Sequence, residues 1–566
     1  MRSPVSHFEW KRVLTAPLAT NQRRSRSGSG WIVSAGIVAV LVLLPVFALV
    51  LQAVQGSDGL WSHLLATTLP VALADTFILL CGVGLLVAIL GTASAWLVTA
   101  YDFPGRRILE WALILPLAVP TYIIAYAYLD ILHPIGVVQG AIRWALGFSS
   151  PREFRLPDIR NMTGCIILLG FVLYPYVYIP TRALFLMQSS NLIEAARTLG
   201  VSQRQIFWRV ALPLARPAIA VGVSLSLMEA LNDIGASEFL GIRTLTVSIY
   251  TTWITRTDLP GASQIALSLL LIVVMLVTVE RWARREQRYS ISAQRSRVFE
   301  PTRITGRRST AFFCMGLIPV LIGFVFPAIY LATEAWKRFQ FAGLSPRLVT
   351  EAGNTIIFAS AATLVTLLLG VLIAYVARLR PGAASNCFFR LATVGYAAPG
   401  TVIAIGVLVL LAGLDQLINR TAIAWFGIST GLLFMGSGAA LIYAYTTRFL
   451  AIAAGGMEAG LTRIPLTFDH ASRTLGQSAS GTFRHVHLPL SKAALIAAAL
   501  LVFVDCVKEL PATLLLRPLN FETFATHLYG EAARGTYEEA SIAALAIVII
   551  GILPVILLSR VGTRAS

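Results

Sequence analysis

Two pairs of acidic residues interrupt apolar segments of this 566-residue sequence. Glu229 and Asp233 form the first pair, and Asp505 and Glu509 form the second, with Lys508 beside Glu509. Ionisable residues within apolar helices are costly and commonly mark functional sites. Residues four apart share one side of a helix, so each pair is expected to face the same way. Clustered carboxylates suit a hard cation that prefers oxygen ligands, such as ferric iron.

A purely structural role for these residues stays open. Lys508 can form an ion pair with Asp505 or Glu509, and the other acids can lie at the hydrated outer ends of their helices. In the alternative, all five residues line a cation pathway. Contact with the cation would then be transient, because four carboxylates at close range would hold an ion and not conduct it. No stable metal site is therefore predicted.

Other chemistry has little support in the sequence. An ATP-binding P-loop needs a Gly-Lys pair, and none of the four lysines follows a glycine. The apolar segments contain no nucleophile–base constellation and no His/Cys ligand spacing. His470, His485 and His487 are expected at the surface. We therefore expect neither an enzyme nor a bound cofactor.

The composition excludes an ordinary soluble protein. Hydrophobic residues make up 57% of the chain and charged residues only 13%, against about 25% charged in soluble domains. The net charge of +18 comes from arginines in short segments between long apolar runs. This distribution indicates membrane topology, and no nucleic-acid partner is expected.

Twelve segments approach the length of about 20 residues that a helix needs to cross a bilayer. An even number of spans places both termini on one side. The N-terminus is basic, and the central linker has nine arginines between Arg281 and Arg308, so this side is predicted to be cytoplasmic. The segments are residues 31–54, 71–100, 108–129, 163–187, 216–234, 262–281, 311–332, 353–377, 388–412, 431–454, 492–515 and 540–559.

The two sets of six segments repeat one another. Because each half has six spans, the copies have the same orientation, which predicts a pseudo-two-fold axis along the membrane normal and a pathway between the halves. The fold class is thus an all-α polytopic membrane protein with two parallel six-helix halves. The predicted divisions are a basic segment 1–30, a first half 31–281, a linker 282–310 and a second half 311–560. Asp75-Thr76, Gly91 and Pro120 recur 279 residues later as Asn354-Thr355, Gly370 and Pro399, and Arg197-Thr198-Leu199-Gly200 and Leu212-Pro213-Leu214 recur 276 residues later as Arg473-Thr474-Leu475-Gly476 and Leu488-Pro489-Leu490.

A polar loop between the fourth and fifth segments predicts a protruding helix–turn–helix. Asn191 and Glu194 resemble a capping box, and Gly200 is a natural helix stop. Ser202 begins a second helix, which gives way to the next span at Pro213. A preformed element of this kind can transmit motion to a cytoplasmic partner. Its second copy is the loop 467–489.

These loop motifs resemble the EAA loop of binding-protein-dependent ABC importer permeases. The resemblance implies a type I permease fold in a bacterial cytoplasmic (inner) membrane. It also implies two ABC ATPase subunits that use ATP at the cytoplasmic face, and an external substrate-binding protein that contacts loops such as 130–162 and 517–539. The ATPase-coupling residues that it assigns are Glu194, Ala195, Ala196, Gly200, Leu212, Pro213, Ala471, Gly476, Leu488 and Pro489.

The second loop departs from this pattern. His470-Ala471-Ser472 stands where the first loop has Glu194-Ala195-Ala196. Asp469 is expected to supply part of the missing negative charge near the helix N-terminus. We therefore expect asymmetric coupling, in which the first loop is the more sensitive one.

The substrate depends on a shorter motif. Lys508-Glu509-Leu510-Pro511-Ala512-Thr513, followed by Leu516-Arg517-Pro518, is similar to the ferric-iron branch of fused permeases. Thiamine, polyamines and phosphonates are alternative substrates of related permeases. An ion-gradient-driven secondary transporter is a further alternative, because parallel six-helix repeats occur there too.

Overall fold

A computed structural model describes residues 29–56, 60–187, 202–284 and 301–563. The described parts are almost entirely helical, so the prediction of an all-α polytopic protein is confirmed. Four predicted coupling residues lie outside the described residues, as do the basic segment up to residue 28 and much of the central linker. These four residues are Glu194, Ala195, Ala196 and Gly200.

The first half contains thirteen α-helices in its described ranges, together with two π-helical turns and one 3₁₀ turn. In chain order they are α1 (Ser29–Val54), α2 (Leu60–His63), the π turn Leu64–Thr68, α3 (Leu69–Ala100), α4 (Arg106–Ala112), the 3₁₀ turn Leu115–Ala118, α5 (Thr121–Ile131), α6 (Val137–Leu146), α7 (Met162–Leu173), α8 (Pro175–Met187), α9 (Gln203–Ile206), the π turn Phe207–Ala211, α10 (Leu212–Asn232), α11 (Gly235–Phe239), α12 (Leu245–Ile254) and α13 (Leu259–Arg284).

The described part of the second half repeats much of this order. It consists of α14 (Arg307–Val320), the π turn Leu321–Val325, α15 (Phe326–Ala342), α16 (Pro346–Leu379), α17 (Ala383–Thr393), the 3₁₀ turn Val394–Ala397, α18 (Gly400–Phe426), α19 (Ala439–Thr462), α20 (Leu466–Thr474), α21 (Ala479–Thr482), the π turn Phe483–His487, α22 (Leu488–Lys508), α23 (Pro511–Leu516), α24 (Phe524–Arg534) and α25 (Tyr537–Thr563).

Nine helices in the described ranges are long and apolar enough to cross a membrane. The number rises to 11 if each of two bent helix pairs is one span. The predicted number of twelve is therefore not confirmed. The predicted segment 431–454 corresponds to α19, which has 24 residues but is not among these spans.

Prolines interrupt two of the predicted spans, 108–129 and 388–412. Pro120 and Pro399 each have a ψ of 146°, and a new helix begins at the next residue. A proline has no N–H and forces the preceding residue out of the helical region. In the first half the pieces on either side of the break meet at 93°. The breaks place the N-termini of α5 and α18 beside the contact between the halves.

Other prolines are accommodated without a break. Each of the four π turns is followed directly by a Leu-Pro or Phe-Pro pair. The wider turn absorbs the lost hydrogen bond and the crowding by the proline ring. Residues 204–232 and 479–508 are consequently continuous helices. The prediction that the loop helix gives way to a separate span at Pro213 is wrong, and Pro489 lies in an equally continuous helix.

Equivalent positions in the two halves make equivalent contacts. Thr76 Oγ1 accepts a hydrogen bond of 3.0 Å from the backbone N–H of Leu245. Thr355 Oγ1, which is 279 residues later, accepts one of 3.0 Å from the N–H of Phe524. The two threonines thus anchor α12 and α24 at the same place in each half.

Two glycines permit the same close helix packing in both halves. A Cβ at Gly91 would lie 2.6 Å from the Cβ of Val177, and one at Gly370 would lie 2.6 Å from the Cβ of Ala453. These distances are too short for any side chain. The helix before each loop is therefore in register with its copy at an offset of 276.

The first helix of each half packs on the other half. Helix α1 contacts α17 and α18, where a Cβ at Gly406 would lie 2.3 Å from the carbonyl oxygen of Pro45. The π turn between α14 and α15 contacts α7, where a Cβ at Gly323 would lie 2.3 Å from the carbonyl oxygen of Phe171. The halves are therefore interlocked.

A short parallel ladder attaches the end of the linker to the first half. Strand β1 (Tyr101–Asp102) pairs with β2 (Thr302–Arg303). The N–H of Ile304 donates a 2.9 Å hydrogen bond to the carbonyl oxygen of Asp102. The two halves are thus connected by backbone bonds as well as by packing.

Candidate functional site

The structure brings all five predicted pathway residues to one cavity of about 90 Å³. The wall includes residues from α5 and α10 of the first half and from α19 and α22 of the second half. The cavity therefore lies at the contact between the halves, where the repeat predicts a pathway. The five residues are Glu229, Asp233, Asp505, Lys508 and Glu509.

The second acid of each pair lies at a helix end and not on a shared helical face. Helix α10 ends at Asn232 and α22 ends at Lys508. Asp233 and Glu509 follow with extended backbone, at ψ values of 126° and 118°. The prediction that four-residue spacing places each pair on one side of a helix is wrong, because the helix stops before the second member.

Asp233 caps the short helix that follows it. Its Oδ2 accepts hydrogen bonds from the N–H and the hydroxyl of Ser237, at 2.8 and 3.1 Å. Its Oδ1 accepts one of 2.6 Å from the hydroxyl of Thr121 at the start of α5. A carboxylate is favourable at a helix N-terminus, where backbone N–H groups lack partners. These bonds give Asp233 a structural role.

Glu509 makes the equivalent contact in the second half and adds an ion pair. Its Oε1 accepts a 2.9 Å hydrogen bond from the N–H of Ala512 in α23. Its Oε2 lies 2.6 Å from Nη1 of Arg448. Both groups of this pair are almost completely buried, with side-chain exposures of 4% and 8%.

The two remaining acids have different environments. Asp505 forms a 2.8 Å ion pair with Lys508, which is one of the structural pairings left open by the sequence. Glu229 lines the cavity but has no hydrogen bond or ion pair among the described residues. Of the four carboxylates, Glu229 is therefore the one whose charge is least used by the fold.

Arg448 is the site residue that the sequence analysis missed. It lines the cavity from α19 and is the only charged residue in the predicted segment 431–454. An arginine within an apolar segment is the same signal that identified the acids. Applied to basic residues as well, that signal would have found it.

Two further hydrogen bonds cross between the halves at the cavity. The side-chain oxygen of Asn232 accepts a 2.7 Å hydrogen bond from the N–H of Gly400, at the start of α18. The hydroxyl of Tyr122 donates to the carbonyl oxygen of Lys508 at 3.3 Å. Each bond joins the end of one span to the break in the opposite half.

The cavity carries more negative than positive groups. Its wall includes four carboxylates and two cationic side chains, so its formal charge is −2 when all six are ionised. No three acidic, histidine or cysteine side chains converge as a metal-ligand set anywhere in the described ranges. The arrangement can attract a cation electrostatically, through carboxylates that also hold helix ends.

The second predicted coupling loop forms a helix–turn–helix. Gly476, with a φ of +80°, ends the first helix as the sequence suggests. The hydroxyl of Ser478 accepts a hydrogen bond from the N–H of Gly481 and begins the second helix. Ala471 is exposed, and Leu488 and Pro489 lie at the base of the long helix. In the first loop, the described Leu212 and Pro213 occupy the equivalent places.

Asp469 does not supply an exposed negative charge to this loop. It is buried, and its Oδ2 lies 2.5 Å from Nη2 of Arg378 at the end of α16. Burial alone raises the pKa of Asp469, but the hydrogen bond and charge of Arg378 outweigh it and hold the pKa below its ordinary value. The expected replacement of the Glu194 charge is therefore wrong, because Asp469 points inward.

His487 also differs from its expected position. It is fully buried, and its Nε2 lies 3.1 Å from Oδ1 of Asp469. His470 and His485 are exposed, as predicted. Arg378, Asp469 and His487 form a buried cluster that joins both helices of the loop to α16.

Replacing Asp469 by asparagine is expected to weaken this attachment. The change leaves Arg378 buried without its counter-charge, which costs about 3–5 kcal/mol for a buried pair. We expect reduced stimulation of the partner ATPase and a lower unfolding temperature, measured on the purified complex. Arg380→Ala, which removes an exposed arginine at the end of the same helix, is the matched control. Equal behaviour of the two variants would contradict this role of the cluster.

Comparison with known proteins identifies the class. Residues 84–289 and 366–564 match the family of binding-protein-dependent transport system inner membrane components. These two matches cover more than half of the chain, which therefore belongs to this family. Its members are membrane permease subunits of ABC transporters. The chain is a multi-pass inner membrane protein in which the two matches represent two fused halves.

Individual relatives transport different ions. The chain is 23% identical to the Fe(3+)-transport system permease protein FbpB 2 of Haemophilus influenzae over 530 residues, which is 93% of this chain and 96% of the relative. It is 28% identical to the sulfate transport system permease protein CysT of Escherichia coli over 44% of this chain and 90% of the relative. It is 26% identical to the putative 2-aminoethylphosphonate transport system permease protein PhnU of Salmonella choleraesuis, again over 44% of this chain.

Proposed function

We propose that this chain is the permease subunit of an ATP-driven importer of ferric iron, which an external substrate-binding protein delivers. The similarity to FbpB 2 extends over both halves and supports this substrate. The observation that carries the proposal is Glu229, a carboxylate without an ion-pair partner in the described ranges, in a cavity of net negative formal charge between the halves. Such a group can interact with a passing cation without being required by the fold.

The cytoplasmic partners are two ABC ATPase subunits, one at each coupling loop. The shape and surface of the second loop support this arrangement. Leu466, Phe468 and Leu475 are exposed on its first helix, with Leu475 81% exposed. An apolar face on a rigid protruding element suits docking in a groove of a partner protein. Both termini are then cytoplasmic, as the arginine distribution predicts.

The two loops are expected to differ in their effect on coupling. Glu194→Ala should reduce transport and ATPase stimulation more than His470→Ala, since His470 lacks the fixed charge of glutamate. Both quantities are measured on the same reconstituted complex. The reverse result, with Glu194→Ala unaffected and His470→Ala inactive, would refute the asymmetry.

An oxyanion is the second candidate substrate. CysT and PhnU are relatives with sulfate and 2-aminoethylphosphonate in their names, and Arg448 and Lys508 in the cavity could interact with an anion. The excess of carboxylates favours the cation. Thiamine and polyamines are organic cations and remain alternatives on the same ground.

Reconstitution tests the proposed function directly. Proteoliposomes that contain the permease and its ATPase would be supplied with the substrate-binding protein loaded with radiolabelled ferric iron, and in parallel with labelled sulfate. We expect iron uptake that requires ATP and persists when a protonophore removes the ion gradient. Uptake of sulfate alone would favour the oxyanion. Uptake that the protonophore abolishes and that needs no ATP would favour a secondary transporter.

A further inference from the structure

Arg448 introduces a permanent positive charge into a cavity that is otherwise rich in carboxylates. Its Nη1 contacts Glu509, while its buried Nε has no hydrogen-bond partner among the described residues. A guanidinium has five N–H donors and stays protonated in proteins. In this arrangement Arg448 therefore has a donor left for a second acceptor.

The shared fold of the two halves does not require this charge. At the offset of 276, the equivalent of Arg448 is Val172, which lines the same cavity from α7. The close contacts of Gly91 with Val177 and of Gly370 with Ala453 support this offset five residues farther along. The first half thus builds the same wall with an aliphatic side chain.

A second carboxylate lies within electrostatic range of Arg448. Glu229 lines both the main cavity and a smaller one beside it, and Arg448 lines both as well. After Glu509, Glu229 is the acid that acts most strongly on Arg448. The guanidinium is therefore placed between one carboxylate that it contacts and another that has no partner in the described ranges.

We propose that Arg448 is a specificity-determining residue that acts as a tethered counter-ion in the cation pathway. It partly neutralises Glu509 and Glu229, and an entering cation displaces it from them. The inference rests on the proposed function. Without Arg448 the formal charge of the cavity becomes −3, and a multivalent cation is held more tightly and leaves more slowly.

The test measures trapping as well as rate, because a structural defect lowers only the rate. The complete importer would be reconstituted with its ATPase and its binding protein loaded with labelled ferric iron. For Arg448→Gln we expect uptake to fall by about tenfold and the iron that copurifies with the permease after turnover to rise by about the same factor, in line with the stronger binding of a multivalent ion. Arg448→Lys keeps the charge and should restore both values towards those of the wild type.

A charge-balanced variant and a matched control complete the test. Arg448→Gln combined with Glu509→Gln keeps the formal charge at −2 and should not trap iron. Arg338→Gln removes another partly buried arginine, paired with Glu539 at 2.8 Å and absent from the cavity wall, and should change neither value.

Three results would overturn the inference. They are slower uptake by Arg448→Gln without retained iron, failure of Arg448→Lys to restore uptake, and equal trapping by the double variant. A wild-type importer that moves no iron would contradict the proposed function and the inference with it. The three failures in an iron-importing wild type would contradict the inference alone.

Discussion

Glutamine in place of Glu229 is expected to reduce ATP-dependent uptake of ferric iron by about tenfold or more, since the loss of ~1.4 kcal/mol of interaction changes a rate by that factor. Glu229 has no hydrogen bond or ion pair within the described ranges, so the fold does not depend on its charge. The loss should therefore appear in the initial rate of uptake and not in the unfolding temperature of the purified complex.

Matched variants separate the effect of the site from a general effect of lost charge. Glu538→Gln removes an exposed glutamate outside the cavity wall and should leave uptake unchanged. Asp505→Asn, added to Glu229→Gln, removes the equivalent acid of the second half. If this double variant imports iron at the wild-type rate, the carboxylates do not line the route of the ion.

Alanine in place of Gly400 is expected to abolish most transport. A Cβ at this position would lie 2.5 Å from Nη1 of Arg448 and 2.6 Å from Oε1 of Glu509. It would also lie 3.2 Å from the Asn232 oxygen that accepts the Gly400 N–H. Overpacking typically costs about 1–3 kcal/mol, and here it displaces a buried ion pair and a hydrogen bond between the halves.

Gly413→Ala is the matched control on the same helix. A Cβ at Gly413 would have no heavy atom within 4 Å, and alanine is the better helix former by up to about 1 kcal/mol. Uptake and unfolding temperature should both be retained in this variant and reduced in Gly400→Ala. Identical behaviour of the two would show that the packing around Gly400 is not needed for transport.

The sequence located the acids of the site but not their roles. Glu229 and Asp233 looked equivalent because they are four residues apart in an apolar segment. The structure separates them, because α10 ends between them and Asp233 bonds to the helix that follows. A helix end depends on capping contacts with other segments, such as Thr121, and these contacts are not apparent from spacing.

Prolines show a similar division. Pro120 and Pro213 are both incompatible with a regular α-helix, but Pro120 follows a sharp break and Pro213 follows a π turn in a continuous helix. The residue type predicts a disturbance in both places. The surrounding packing selects between a break and a wider turn, so the predicted boundaries near both prolines required correction.

Membrane class, repetition and the candidate acids could be inferred from the amino-acid sequence, because hydropathy, offsets and isolated charges are properties of residues that are near or regularly spaced along the chain. The pairing of Arg448 with Glu509, the unpaired state of Glu229 in the described ranges and the inward turn of Asp469 emerged from the three-dimensional arrangement. These features depend on side-chain distances between helices that are far apart in the sequence. Their packing in the membrane, and no local pattern, sets those distances.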